Sequence, residues 1–495
     1  MTANKTVIVI GSGFAGLSTA SFMAKEGWEV IVLEKANGPG GRASQLNEGG
    51  FVFDKGPSFY WMPDVFERYF AQFGRKVSDY YKLHRLDPSY RVYWDEGHTD
   101  LPASFESLQE VFESMEPGSA AQLGKYLAGA GYKYRVGMQH LVYKPGRSLS
   151  EFLDWDTIRG TFKLHVFTSI KKHIGGYFRN PRLRQLMEFP VLFLGALPEE
   201  TPALYSLMNY ADMKGGTWHP EGGMYAVVAG MKKLADELGV QFRFNEEVRR
   251  IVIEKGRASR VETSSGSYSA DMVISSADYH FTETKLLPPE YQSYSSTYWQ
   301  KRVMAPSCIL FYVGLNKRLK NVTHHTLFFD APFDVHAQEI YKSQTWPTQP
   351  LFYVSAPSVT DRSMAPDGGE SLVFLVPVAA GLEGDTQELR ERYFDMIMKR
   401  MEEKTGESVR DAMVVKRTYA VSDFIADYNA FRGNAYGLAN TLRQTAILRP
   451  SCRSKKVKNL FYTGQLTVPG PGVPPSLISG EVVAREVIKY SRSTN

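Results

Sequence analysis

A chain of 495 residues with 43% apolar content exceeds the size at which one hydrophobic core stops growing, so two interleaved or consecutive domains are expected. Its 58 basic and 53 acidic residues leave a formal charge of +5, too balanced for a dedicated nucleic-acid binder. The two cysteines, Cys308 and Cys452, lack a partner pattern; this argues against a disulfide framework or a metal site and fits a reducing cytoplasm. An apolar run that ends in glycine within the first dozen residues is unlike a signal peptide, and no uninterrupted apolar stretch of about 18 residues predicts a transmembrane helix. The 28 tyrosines and 29 phenylalanines suit a protein that surrounds a large flat or apolar ligand.

Residues 7–10 form a β-branched run, as a strand buried on both faces requires, and lead into Gly11-Ser12-Gly13-Phe14-Ala15-Gly16. Gly11 permits a tight turn, Gly13 lets backbone approach a pyrophosphate, and Gly16 lets the following helix lie close to the strand. That helix carries Leu17, Ala20, Phe22, Met23 and Ala24 to a Gly27 turn, and a second strand over residues 29–33 ends at Glu34-Lys35. Glu34 is placed to bind ribose hydroxyls and disfavours a 2′-phosphate, which argues against NADP. The continuation Pro39-Gly40-Gly41-Arg42-Ala43 adds glycines and an arginine suited to further phosphate contacts, which favours FAD over NAD.

In the middle of the chain, Gly222-Gly223-Met224 opens a predicted helix through Leu238. Strand-like stretches follow at 241–245 and 247–253, and another ends at residues 273–278, completing an α/β sheet. Residues 85–220 and 290–420, richer in aromatics and long side chains, are candidates for a second domain. His324-His325 has no further ligand spacing around it and reads as a solvated or capping pair rather than a metal site. Near the end, residues 459–465 read as a strand into a turn containing Gly464 and Gln465. Gly472-Val473-Pro474 then leads into a helix from about Ser476, whose start could hold the flavin pyrimidine end.

GSGFAGLS at 11–18, GPGGRA at 38–43, FDKGPS at 53–58 and NLFYTGQLTVPGPGVPPSLISG at 459–480 stand in the order of family blocks. On these the chain resembles the bacterial-type carotenoid (phytoene) desaturases, within the flavin amine oxidase-like superfamily, over nearly its whole length. The resemblance implies an α/β fold with a discontinuous Rossmann-like FAD-binding domain (1–84, 221–290, 421–495). It also implies an α+β substrate domain (85–220, 291–420) with a helical membrane-facing part. By similarity Gly56, Pro57 and Ser58 approach the flavin and Val248 holds the adenine through its backbone. Many members carry a histidine in the 464–470 block, where this chain has Val468, so no role passes to it.

The implied reaction removes two hydrogens from adjacent saturated carbons of a polyene. Phytoene is the first expected substrate, and a hydroxylated carotenoid desaturated at its 3,4 position the second. A flavin amine oxidase and a carotenoid isomerase are the competing activities. Arg147 and Glu151 in GRSLSEFL match a family segment with charged residues near the flavin and are the catalytic candidates; helix capping is their alternative reading. Residues 427–429 precede 431–437, where the family places a flavin- and substrate-facing strand. Phe162, Phe167, Ile170, Ile174, Tyr177 and Phe178 recur at helical spacing among Lys163, Lys171, Lys172, Arg179, Arg182 and Arg184. With the family's membrane association, this suggests a peripheral surface helix that admits the carotenoid from a bilayer.

Overall fold

The computed structural model describes residues 5–148, 151, 168–192 and 195–493. Strand β1 (Thr6–Ile10) is the middle of a five-stranded parallel sheet, and its alternating side chains enter two different cores. Val7 and Val9 pack with Leu17 and Met23 of helix α1 (Phe14–Lys25), while Ile8 and Ile10 meet Val248, Ile251 and Val261. A strand covered on both faces has no use for polar residues, which explains its uninterrupted apolar run. β2 (Glu29–Leu33) pairs with β1 on one side, with Val9 opposite Val32, and the strand Met272–Ser275 pairs on the other, with Val9 opposite Ile274. Gln241–Arg243 and Leu460–Tyr462 form the edges, so strands from the first 33 residues, the middle and the end of the chain share one sheet.

The C-terminal helix Val473–Ser493 lies against α1. Gly480 makes that approach possible, since a Cβ there would lie 2.5 Å from the Ser18 Cβ. Ser18 Oγ donates to Leu477 O at 2.8 Å and Thr19 Oγ1 to Gly480 O at 3.0 Å, so both buried hydroxyls find acceptors on the partner helix. The helix begins at Val473, three residues before the sequence expectation, because Pro474 and Pro475 fall in its first turn, where a missing N–H breaks no intrahelical bond.

A second, seven-stranded sheet runs in the order Met413–Tyr419, Ser307–Leu315, Glu370–Val378, Phe352–Ser355, His325–Phe328, Tyr90–Tyr93, His98–Leu101. All nine residues of Ser307–Leu315 are buried, yet its two faces have different neighbours. Ile309, Phe311, Val313 and Leu315 pack with Phe394, Ile397 and Met398 of the helix Gln387–Thr405; Cys308, Leu310 and Tyr312 face the opposite way. Helices Phe105–Met115, Ser119–Val136 and Pro181–Leu192 stand beyond this second face.

No helix among the described residues is long and apolar enough to cross a membrane. The expected surface helix, by contrast, is corrected over residues 170–178. Ile170, Ile174 and Phe178 are fully buried in the main core and Tyr177 packs on it, while Lys171 pairs with Glu199 at 2.5 Å. Helix Ile170–Gly175 turns its apolar side inward, as an ordinary amphipathic helix does. Phe162, Lys163 and Phe167 lie outside the described residues.

Candidate active site

A cavity of about 690 Å³ opens where the two sheets meet, within the range of small-molecule sites. At one end it is lined by Gly11, Gly13, Phe14 and Ala15. Gly11 adopts φ +93°, a conformation that side-chain-bearing residues rarely take, and its N–H bonds Leu33 O at 2.8 Å. Gly16 lies behind the turn: a Cβ on it would come within 2.1 Å of Gly11 O, so only hydrogen allows α1 this close to β1. Gly13, the N-cap of α1, has no side-chain cap, and the helix has no acid in its first turn. Its leading amides therefore lie beside the cavity without intrahelical acceptors.

Glu34, 8% exposed, fixes the end of β2. One carboxylate oxygen accepts from Ser12 N and Ser12 Oγ, both at 2.8 Å, and the other from Ala36 N at 2.9 Å. A carboxylate has about four acceptor positions, so these bonds leave capacity for a ribose hydroxyl. Lys35 lines the same edge and donates to Ala426 O at 3.1 Å. Gly41 and Arg42 follow, and Gly56 packs so tightly on that loop that a Cβ would lie 2.4 Å from Arg42 O. Arg42 donates through Nη2 to Asn434 O at 3.3 Å, but its buried Nε has no partner among the described residues. Burial lowers the Arg42 pKa, an effect that the Asp278 carboxylate opposes. A buried, under-bonded cation next to open helix amides fits a diphosphate, and these groups would hold that of FAD.

Pro57, Ser58, Val248, Gly464, Gln465, Gly472, Val473 and Pro474 continue the lining. Gly464 N bonds Ser479 Oγ at 2.9 Å and Gln465 Nε2 bonds Asn434 Oδ1 at 3.0 Å. The start of the C-terminal helix offers fewer donors than expected, because residues 474 and 475 are prolines and Ser476 N is bonded to Gly472 O at 3.0 Å. Of the expected cofactor residues, Gly16 alone stands off the cavity, in agreement with its packing task.

The other end of the cavity is apolar and comes from elements far apart in the chain. Register places Leu310 opposite Leu375 and Leu375 opposite Tyr353, a row of three across adjacent strands. Met138, Leu141, Leu207 and Met208 come from the helical region, with Phe59, Trp61 and Tyr436 between. Cys308 also faces in; burial pushes its thiol up to about 12, so it remains a neutral apolar group. Tyr353 Oη donates to Ser58 Oγ at 2.9 Å, tying this wall to the loop at 56–58. Apart from Ser58 and Tyr436, which lies in the 431–437 block, these wall residues were not foreseen, since a fully buried strand gives no periodicity that says which face meets a ligand.

Arg147 and Glu151 do not line the cavity. Glu151 accepts from Gly146 N at 2.9 Å and Arg147 N at 3.0 Å, and Arg147 pairs with Glu486 of the C-terminal helix at 2.8 Å. Both side chains are thus engaged in local bonds and an ion pair away from the cavity. Asp427, Tyr428 and Asn429 do line the cavity, but they end a helix, Val421–Tyr428, and a short 3₁₀ turn, Phe431–Gly433, follows in place of the expected strand. Asp423 closes the first turn of that helix by accepting from Ala420 N at 2.8 Å. His324 and His325 are buried, not solvated: they sit on or beside the strand His325–Phe328, where Nδ1 of His324 meets Thr360 Oγ1 at 3.0 Å and Nδ1 of His325 meets Tyr353 Oη at 2.6 Å.

This geometry agrees with comparisons to known proteins. The family described as flavin containing amine oxidoreductase matches residues 14–488. A carotenoid 3,4-desaturase of Haloarcula japonica is 41% identical over 490 residues, covering 98% of this chain and 99% of that protein. A zeta-carotene-forming phytoene desaturase of Myxococcus xanthus is 32% identical over 500 residues, covering 99% and 95%. An oxidoreductase structure from Methanosarcina mazei superposes with a TM-score of 0.63 over 97% of this chain and 100% of the other; at 16% identity it speaks for the fold alone. With a dinucleotide turn, an under-bonded arginine and an apolar chamber around one cavity, the chain is an FAD-dependent oxidoreductase that belongs to the carotenoid desaturases within the flavin amine oxidase-like superfamily.

Proposed function

We propose that this protein desaturates a carotenoid, and that the bond it oxidises is the 3,4 bond of a hydroxylated carotenoid. The observation that carries the desaturase reading is the continuity of one cavity from Gly11 and Gly13 to the wall of Leu310, Leu375 and Tyr436. Such a chamber suits a long apolar chain laid against a flat cofactor. The 3,4 position is supported by the 41% identity to the Haloarcula protein, against 32% to the phytoene desaturase of Myxococcus. Phytoene, the first expectation from sequence, is the competing substrate.

A C–H bond beside a conjugated chain can release hydride because the developing cation spreads over the polyene, and bound FAD supplies the hydride acceptor. The chain's own part is positioning. The glycine turn, Glu34 and Arg42 hold the cofactor, while Leu310, Leu375 and the helical residues Met138 and Leu207 fix the polyene in register with it. In this proposal Glu151 ties residues 146–147 together and Arg147 ties them to the C-terminal helix. The division of the chain into five alternating segments, and a peripheral bilayer as the source of so insoluble a substrate, belong to the same reading. The helix Ile170–Gly175 is not the membrane face.

The test is anaerobic incubation of the flavin-loaded protein with a hydroxylated carotene or with phytoene in liposomes, reading flavin bleaching, product absorption and product mass. Bleaching by the hydroxylated carotene and a product lighter by two hydrogens are expected. Conversion of phytoene alone would reverse the substrate order, and bleaching by neither would end the desaturase reading.

A further inference from the structure

Desaturation takes two hydrogens from neighbouring carbons, one as hydride and one as a proton, and the proton needs an acceptor inside an apolar chamber. We propose that Tyr353, backed by His325, is that acceptor. Tyr353 lies in the row Leu310, Leu375, Tyr353 that forms the cavity wall, so its phenol stands beside the space the polyene would fill. Its oxygen is 2.6 Å from His325 Nδ1 and 2.9 Å from Ser58 Oγ. A phenol in this position joins the chamber to an imidazole.

The imidazole is built to stay in place. His325 is fully buried, and its ring stacks on Phe59 with centroids 4.0 Å apart and planes 18° apart. Burial and the neighbouring His219 ring keep it neutral, and its Nε2 has no partner among the described residues. A neutral imidazole carries one N–H and one lone pair. At rest the Tyr353 proton is donated to Ser58 Oγ, and in the relay the phenolic O–H turns to a lone pair at His325 Nδ1, 2.6 Å away.

The step balances without another reactant. As hydride passes to bound FAD, the adjacent C–H bond breaks and its electron pair becomes the second bond of the new C=C. The released proton forms an O–H bond at Tyr353 while the original phenolic O–H breaks and an N–H forms on His325. A proton next to a carbocation is far more acidic than imidazolium, so a weak, buried base is sufficient. The electrons leave entirely through FAD.

The proposal rests on the desaturase reading, and the experiment separates the two. Tyr353→Phe removes one oxygen and no packing volume. It is expected to retain flavin, judged by its visible spectrum, and to bind carotenoid within about twofold, while turnover falls on the order of 10²-fold. With deuterium placed separately on the two reacting carbons, the isotope effect at the proton-losing carbon should rise and that at the hydride-losing carbon fall. His325→Gln should show the same reversal, and the double variant should be no slower than either single, because both act on one proton. Wild-type turnover in flavin-loaded Tyr353→Phe, or a slower variant whose isotope effects are those of the wild type, overturns the relay and leaves the desaturase reading intact. Wild-type protein that converts no carotenoid defeats both.

Discussion

The two ends of the cavity are made in opposite ways. At the dinucleotide end, backbone performs most of the work: a glycine turn, the first turn of α1 and the end of β2, all within 34 residues. At the polyene end, side chains from the loop at 58–62, from helical segments at 137–142 and 204–208, and from strands at 308–310, 353 and 375 converge with no local sequence relation. A backbone cradle tolerates no added atoms, whereas a side-chain wall tolerates changes of shape and translates them into selectivity. The first end should therefore fail by losing its ligand, and the second by mishandling it.

The most severe test of this contrast is Gly16→Ala. Its methyl group would meet Gly11 O at 2.1 Å, so α1 must leave β1. Purified protein is expected to be colourless and destabilised by roughly 3 kcal/mol, the upper part of the overpacking range; a yellow variant with wild-type melting would show that the turn is not a tight cradle. At the other end, Leu375→Trp fills the middle of the wall row. Flavin content should stay near wild type while carotenoid turnover drops on the order of 100-fold, and the ratio of the two readings separates the ends directly. Glu34→Gln sharpens the first end. Losing a charged acceptor costs about 1.5–3 kcal/mol, or ten- to hundred-fold weaker flavin binding by titration of apoprotein.

Two further changes probe what supports the apolar end. Asp212 is 2% exposed and accepts from Tyr90 Oη at 2.9 Å and Thr217 Oγ1 at 3.2 Å; burial pushes its carboxyl up to about 7. For an acid raised in the folded state, the stabilisation is complete below the unfolded pKa near 4 and is lost as pH rises through 7. Asp212→Asn keeps an acceptor and cannot ionise, so its melting advantage over wild type should grow by about 4 kcal/mol from pH 4 to pH 7 and then level off. An advantage independent of pH would contradict the burial argument. Last, Arg147→Ala breaks the pair with Glu486 and should cost about 1 kcal/mol in stability, with flavin content and turnover within about twofold. A large loss of turnover with flavin retained would restore Arg147 as a catalytic candidate.

The legibility of the sequence follows the same division. Residues 7–10 and 29–33, the turn at 11–16 and the acid at 34 were readable because each feature is encoded by neighbours in sequence. The histidine pair at 324–325 was misread because nothing local shows that its strand is covered on both faces. At 431–437 a short 3₁₀ turn, Phe431–Gly433, stands where the family pattern placed a strand, and the residues before it end the helix Val421–Tyr428, whose first turn Asp423 closes. The helix at 170–175 had the amphipathic spacing expected of it, yet spacing alone does not say whether the apolar side meets lipid or protein, and here it meets protein.

The sequence by itself determined the dinucleotide turn, its flanking strands and the family, because glycine geometry and short-range periodicity act over a few residues. Tertiary structure alone decided that Gly480 brings the last helix onto Ser18 and which face of Ser307–Leu315 meets the cavity. It also decided that Tyr353 stands beside His325. Those outcomes depend on which strands become neighbours and on what covers each face, a choice made by the packing of the whole chain and not by any one segment of it.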